Sequence, residues 1–166
     1  MTQASSIRTK IAALMGSAAA ASALLGGLTL WEGKRNVGYL DIAKVPTACM
    51  GDTQNVVVGK YYSDAECEAR LERQALTHLE GVLKCTPRLK GRPYQLQAAG
   101  SLAYNIGVGA YCGSTAAKRF QAGNWGGGCS ALLLWDKARV GGKLQTVQGL
   151  ANRRQWEYKV CMKGVA

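Results

Sequence analysis

The apolar and polar positions of this chain fall into three successive patterns. The first covers residues 11 to 30, I-A-A-L-M-G-S-A-A-A-A-S-A-L-L-G-G-L-T-L, which carry no charge. Wound as one helix they would span roughly 30 Å, about the hydrocarbon thickness of a bilayer. Only Ile11, Leu14, Met15, Leu24, Leu25, Leu28 and Leu30 are strongly apolar; the rest are Ala, Gly, Ser or Thr. Large apolar residues favour insertion by about 0.3 to 0.6 kcal/mol each, so this segment enters a membrane but holds there weakly. The second pattern, residues 37 to 62, is short apolar runs among Gly, Asp and Asn turn residues. Val37-Gly38-Tyr39-Leu40 and Val56-Val57-Val58 predict a small antiparallel sheet bearing Asp41 and Thr47.

The third pattern is helical. Ser63-Asp64-Ala65-Glu66 has the S-x-x-E spacing of a capping box and predicts a helix from there to about Lys84. Cys67, Leu71, Ala75, Leu79 and Val82 recur on one face of it, and Thr86-Pro87 ends it. Beyond, helices are expected at about 93–106, 114–122, 128–136 and 148–162. Gly107, Gly109, Gly123, Gly126 to Gly128 and Gly141-Gly142 punctuate them. The triple glycine is no phosphate loop, because no G-K-[ST] follows. Trp125, Trp135 and Trp156 suit core packing better than sugar stacking. His78, alone on the long helix, reads as structural or solvated.

Composition narrows the class. A chain of 166 residues with 48% apolar and 19% charged content is globular: one domain, or two small lobes sharing a helix. A net charge of +11 suits nucleic acid, an anionic membrane or an anionic wall polymer. The cations are spread along the chain without any nucleic-acid-binding motif, so nucleic acid is not expected as a partner. The six cysteines (49, 67, 85, 112, 129 and 161) form no C-x-x-C pair, and the chain holds one His. Neither a zinc site nor another metal or cofactor is therefore expected. Disulfides are the better reading, and they imply an oxidising compartment such as the bacterial periplasm. Six cysteines allow fifteen pairings, and spacing alone does not choose among them.

Residues 1 to 10 hold Arg8 and Lys10 and no acid, which predicts a basic tail left in the cytoplasm with the rest translocated. Taken alone, residues 11 to 30 fit a signal peptide cleaved in A-A-A-S-A or a buried soluble helix. Cleavage near Ala23 would leave only a short stub ahead of Glu32, which argues for an uncleaved segment.

The chemistry concentrates between Trp31 and Thr47. Glu32 and Asp41 supply two carboxylates beside an apolar run, and two carboxylates in unlike surroundings can divide the roles of acid and base. That is the equipment for cleaving a glycosidic bond. The spacing E-x8-D-x5-T, with Gly33 after the Glu and Gly51 four residues past Thr47, resembles the catalytic signature of the phage lysozymes, glycoside hydrolase family 24. Tyr104-Asn105-Ile106-Gly107 resembles that family's F-N-x-G segment. Gly149-Leu150-Ala151-Asn152-Arg153-Arg154, followed by Glu157, resembles its G-L-x-N-R-R-x-x-E motif. One departure stands out: Asp52 occupies the place of a His that ends the family's T-x-G-x-G-H.

The resemblance implies an α+β, mainly α, two-lobed lysozyme-like fold. A sheet lobe would occupy about 31–62, a connecting helix about 63–85 and a helical lobe about 86–166, with the substrate cleft between the lobes. It implies a phage endolysin, a monomeric muramidase cutting the β-1,4 bond between N-acetylmuramic acid and N-acetylglucosamine of peptidoglycan. Glu32 would be the general acid; Asp41 would stay ionised and, with Thr47, position water. Apolar neighbours such as Trp31 favour a protonated acid, whereas a pair between Glu32 and Arg153 would fix its rotamer but oppose protonation. Asn105 would line the cleft. Mapped on the family's fold, the cysteines would pair 49–67, 85–112 and 129–161. Residues 11–30 resemble the signal-anchor-release segment of some phage endolysins, which tethers the enzyme to the inner membrane and later frees it, uncleaved, into the periplasm. Two other readings remain: a lytic transglycosylase on the same bond, and a cationic membrane-disrupting protein.

Overall fold

A computed structural model describes residues 3–165. The N-terminal apolar run is not one helix. It is divided between α1 (Gln3–Met15) and α2 (Ala18–Glu32), which meet at 104°. Gly16 makes the break: its φ of 90° is left-handed, and Ser17 then caps α2 by accepting the Ala20 N–H at 3.0 Å. Among the described residues no single helix is long and apolar enough to cross a membrane; α1 from Ser6 and α2 meet the length and composition only as a bent pair. The boundary expected at residue 10 falls inside α1. Ile11, Met15, Ala21, Leu24, Leu25 and Leu28 of these two helices are buried in the main core. Gly27 permits a close approach: a Cβ there would lie 2.5 Å from the Trp156 ring.

The sheet lobe holds the small antiparallel sheet that the sequence predicts, but with a different second strand. β1 (Arg35–Leu40) pairs antiparallel with β2 (Pro46–Cys49), placing Tyr39 opposite Thr47. Val56-Val57-Val58 is not a strand. It belongs to a looped return between Asn55, at φ 51°, and Gly59, at φ 85°, which meets β1 through the Val37–Tyr61 bridge and the Gly38–Lys60, Gly59–Gly38 and Tyr62–Asn36 bonds. The β-branched composition that suggested a strand had no partner edge to satisfy its backbone.

α3 (Asp64–Cys85) links the lobes, and the reciprocal Ser63–Glu66 capping box is present at its start. A 3-10 turn at Pro87–Leu89 leads to α4 (Pro93–Ile106), the most buried helix, which lies against α2, α3 and the final helix. α5 (Val108–Gly113), not expected from the sequence, precedes α6 (Thr115–Gln121) and α7 (Trp125–Leu132). The triple glycine lies inside α7, because the Phe120 ring would be 2.3 Å from any Cβ at Gly128. The expected helix at 128–136 therefore starts and stops earlier. After it comes a hairpin, β3 (Lys137–Val140) and β4 (Lys143–Thr146), where no strand was predicted. α8 (Gln148–Met162) closes the chain. Disulfides join Cys49 to Cys67, Cys85 to Cys112 and Cys129 to Cys161, tying β2 to α3, the end of α3 to α5, and α7 to α8.

Candidate active site

Glu32 is the last residue of α2, and Gly33, at φ 68°, turns the chain toward β1 while its N–H caps Thr29 O at 3.1 Å. The carboxylate is thus presented where the helix ends, 18% exposed, and its Oε1 accepts from Arg153 Nη1 at 2.6 Å. The two residues are 121 apart in sequence. Arg153 is itself held rigidly: it is 4% exposed, and its Nη2 donates to the Ser101 carbonyl at 3.1 Å and hydroxyl at 3.3 Å. Its Nε reaches Glu157 Oε1 at 3.3 Å.

Glu157 anchors the next layer. Its Oε1 accepts from Ser101 Oγ at 2.6 Å, and its Oε2 faces Arg154 Nε at 2.7 Å. Burial pushes the Glu157 carboxyl up, against the pull of Arg154, Ser101 and Arg153. Arg154, wholly buried, donates through Nη1 to Asn105 Oδ1 at 3.0 Å and to the Trp135 carbonyl at 3.5 Å. Two guanidinium cations and two carboxylates make this cluster neutral when all four are ionised. A balanced and hydrogen-bonded set of this kind can stay charged inside a protein.

The opposite wall is the turn after β2. A Cβ on Gly51 would lie 3.4 Å from Glu32 Oε2, so the turn passes close over the acid. Its conformation is fixed from three sides. Tyr104 donates to the Met50 carbonyl at 2.9 Å, Ala48 and Asp52 exchange backbone bonds, and Cys49 is bridged to Cys67. Burial, then the negative charges of Glu32 and Asp52, push the Tyr104 hydroxyl above its ordinary range, so it remains a donor. Asp52, at the position of the family's His, is buried and meets Arg70 at 2.6 Å, Gln74 at 3.0 Å and Arg73 at 3.9 Å. The turn is thus ion-paired to α3, with the anion on the turn and the cations on the helix.

Asp41 and Thr47 lie on the sheet lobe. Asp41 follows β1, and its Oδ1 accepts the N–H groups of Ala43 and Val45 at 2.8 and 2.9 Å, which holds the loop in place. Thr47, almost fully buried in β2, gives its hydroxyl proton to the Val45 carbonyl at 2.9 Å. Val45 therefore joins the two side chains through its N–H and its C=O. Thr47 Oγ1 keeps its lone pairs for a further donor such as water. Among the described residues no hydrogen bond links Glu32 to Asp41 or Thr47. Asn105 is exposed and bonded to Arg154. His78 bonds Gln74 O at 2.7 Å and packs against Tyr104.

Residue patterns alone did not mark Ser101, Tyr104 or Arg154 as part of this cluster. Arg154 and Glu157 stood in a recognisable motif, but Ser101 sits in a featureless helical stretch and gave no signal. No His/Cys/Asp/Glu group among the described residues is arranged to hold a metal ion.

A mainly helical two-lobed fold with a small sheet, and a carboxylate at the end of a helix where the lobes meet, defines a lysozyme-type glycosidase. The phage lysozyme family model matches residues 29–157, and the chain belongs to that family. It is 34% identical to the SAR-endolysin of Pseudomonas phage phiKMV over 145 residues, covering 87% of this chain and 89% of that one. It is also 34% identical to the SAR-endolysin of Enterobacteria phage P21 over 167 residues, covering 96% and 97%. The endolysin from Escherichia coli O157:H7 phage FAHEc1 superposes with a TM-score of 0.73 at 31% identity, covering 84% of this chain and 90% of that one.

Proposed function

We propose that this protein is a monomeric endolysin that hydrolyses the β-1,4 bond between N-acetylmuramic acid and N-acetylglucosamine of peptidoglycan, so that the host lyses. The observation that carries this reading is Glu32 at a helix end, locked by Arg153 and overhung by the Gly51 turn. Glu32 protonates the leaving glycosidic oxygen. Arg153, anchored on Ser101 and Glu157, holds the Glu32 rotamer so that the carboxyl meets that oxygen without searching. Asp41 stays ionised, stabilises positive charge at the anomeric carbon and, with the Thr47 hydroxyl, positions water for attack. Asn105 contacts substrate from the helical side.

We also propose that residues 11–30 first tether the enzyme to the inner membrane and then release it uncleaved into the periplasm. Support comes from the weakly apolar composition and from the relatives named SAR-endolysins.

Glu32→Gln and Asp41→Asn test the mechanism on permeabilised Gram-negative cells followed by turbidity. Loss of a positioned acid or base lowers rates by about 10²- to 10⁴-fold, and both variants should stay folded by circular dichroism. A near-normal rate from either variant sinks the assignment. Full lysis by Glu32→Gln would instead favour a membrane-disrupting protein. Mass spectrometry of the products should show reducing ends, and anhydro-muramic ends would make the enzyme a transglycosylase.

A further inference from the structure

A cavity of about 240 Å³ lies where α1, α2 and α3 meet, and none of its lining residues belongs to the cluster around Glu32. Its chemistry runs against that of the molecule. The chain has 21 cations and 10 acids, yet Glu68 and Glu72 line this one cavity against a single cation, Arg8. The two acids stand at i and i+4 on α3, where like charges repel. Glu72 is only 5% exposed. Arg8 meets Glu72 Oε1 at 2.7 Å, while Glu72 Oε2 is buried without a hydrogen-bond partner. A buried carboxylate oxygen with no donor costs stability, and the repulsion adds to that cost. A cation entering from outside removes both.

The lining narrows the choice of cation. One water needs only about 10 to 15 Å³ of such space, so the cavity has room for a small organic molecule. Among the described residues no group of three His, Cys, Asp or Glu is placed to hold a metal ion, and the Arg8 guanidinium would repel one. Ammonium groups fit better, since each has three donors and no acceptor. Glu72 Oε2 and the Glu68 carboxylate accept. Ser22 and Thr29 add hydroxyl oxygens to the same lining, and Thr29 has already given its proton to the Leu25 carbonyl. Leu25 and Leu71 supply the apolar surface on which a methylene chain can lie. Side chains at i and i+4 are about 5 to 6 Å apart at Cβ, a separation that suits two ammonium ends on a short carbon chain.

We propose that this cavity binds a short aliphatic diamine, with one ammonium on Glu72 Oε2, the other on Glu68, and the methylenes over Leu25 and Leu71. Arg8 comes from α1, Ser22, Leu25 and Thr29 from α2, and the acids from α3, so the site exists only when the three helices are docked. The consequence for release rests on the tether reading: the diamine binds the released enzyme and not the tethered one, and draws the balance toward release by mass action.

The probe is 1,4-diaminobutane, added to the folded full-length chain in isothermal titration calorimetry and in thermal melts. One molecule should bind per chain, and Tm should rise with its concentration. 1,4-Butanediol, and sodium chloride at matched ionic strength, should bring no comparable rise. A protein carrying +11 has no general attraction for a dication, so binding reports this site. Glu68→Gln, at an exposed position, should weaken binding about two- to fivefold. Ser22→Leu, also at an exposed position, should fill the cavity and abolish binding. Absence of heat and of a Tm rise at millimolar diamine overturns the proposal and leaves the cavity to water. Binding that both variants keep, or a rise that salt reproduces, overturns it too. Release is read separately, by membrane fractionation of wild type and Glu68→Gln with and without the diamine. Wild type should shift further toward the soluble fraction than the variant. If calorimetry shows the site and neither protein shifts, the site stands and the tether reading fails.

Discussion

At the scale of single residues, the position that departs from the family's motif makes the sharpest case. Asp52 is buried and its Oδ2 lies 2.6 Å from Arg70, with Arg73 at 3.9 Å and Gln74 beside Oδ1. Removing one partner of a buried pair leaves the other charge uncompensated, so Asp52→Ala should destabilise by about 3 kcal/mol in thermal melts. Asp52→His, which writes the family's usual residue back, should also destabilise, because an imidazole would face two arginines. Those cations depress its folded pKa below the unfolded value of about 6.5. The unfolded chain then binds more protons, so the variant should lose further stability as pH falls through about 6.5. A variant as stable as wild type at both pH 5 and pH 8 would show that Arg70 does not serve the turn. The departure itself was visible in the sequence, but its compensation was not. Arg70 and Gln74 look like two more polar residues on an exposed helix face until the sheet lobe is laid upon them. The Glu32–Arg153 contact was legible only through the family's C-terminal motif, because no local pattern joins residues 121 apart.

At the scale of elements, what was legible depended on whether the determining interactions are local. The start of α3 was, because its signal is self-contained: Glu66 N–H bonds Ser63 Oγ at 3.1 Å and Ser63 N–H bonds Glu66 Oε2 at 2.7 Å. Ser63→Ala should cost about 1 kcal/mol. The backbone and side-chain bonds to Ser63 hold the Glu66 carboxyl below its ordinary value. A carboxylate with a lowered folded pKa stabilises above its unfolded value and loses that contribution as pH falls through the folded one. The difference between wild type and Ser63→Ala should therefore be present at pH 7 and shrink in acid below about pH 4, and an unchanged difference at pH 3 would refute the box as its source. β2 was not legible for the opposite reason, whereas the β3–β4 hairpin carried a local signal, Gly141-Gly142 at positive φ between two short strands, that the sequence reading took only as punctuation between helices. Pro46–Cys49 is extended because β1 and the Cys67 bridge receive it, whereas Val56-Val57-Val58, richer in strand formers, finds no edge. Gly126 to Gly128 looked like a helix stop and became helix, since Asn124 caps α7 and Phe120 fills the space that a side chain at Gly128 would need.

At the scale of the whole molecule, the proposed tether would give residues 11 to 30 two incompatible destinations. In the folded protein Ile11, Met15, Leu24, Leu25 and Leu28 complete the core, Trp156 lies over Gly27, and Arg8 reaches the buried Glu72 at 2.7 Å. The same segment ends in Glu32, two residues beyond Leu30. A chain held in a bilayer to Leu30 would keep its acid at the membrane surface, remove five large side chains from the core and leave Arg153 facing an empty place. The tethered form should therefore be inactive, and docking of α1 and α2 should create the site. None of the six cysteines lies within 11–30, so thiol exchange with an anchor cysteine cannot trigger the change. Strengthening insertion tests this, and the choice of glycine matters. Gly16→Leu would strain a left-handed residue and Gly27→Leu would collide with Trp156, so both also damage the docked state. Gly26 has open space around it, and Gly26→Leu changes mainly the membrane side of the balance, where a central Leu contributes about −0.3 to −0.6 kcal/mol. The variant should move toward the membrane fraction and lyse later than wild type after the membrane potential is collapsed. The triple Gly16, Gly26 and Gly27→Leu variant should remain trapped. In both, mass spectrometry of the released wild-type enzyme is the control and should find residues 11–30 still attached. Wild-type partitioning and timing in the triple variant, or a mature enzyme starting after Ala23, would mean that release does not work this way.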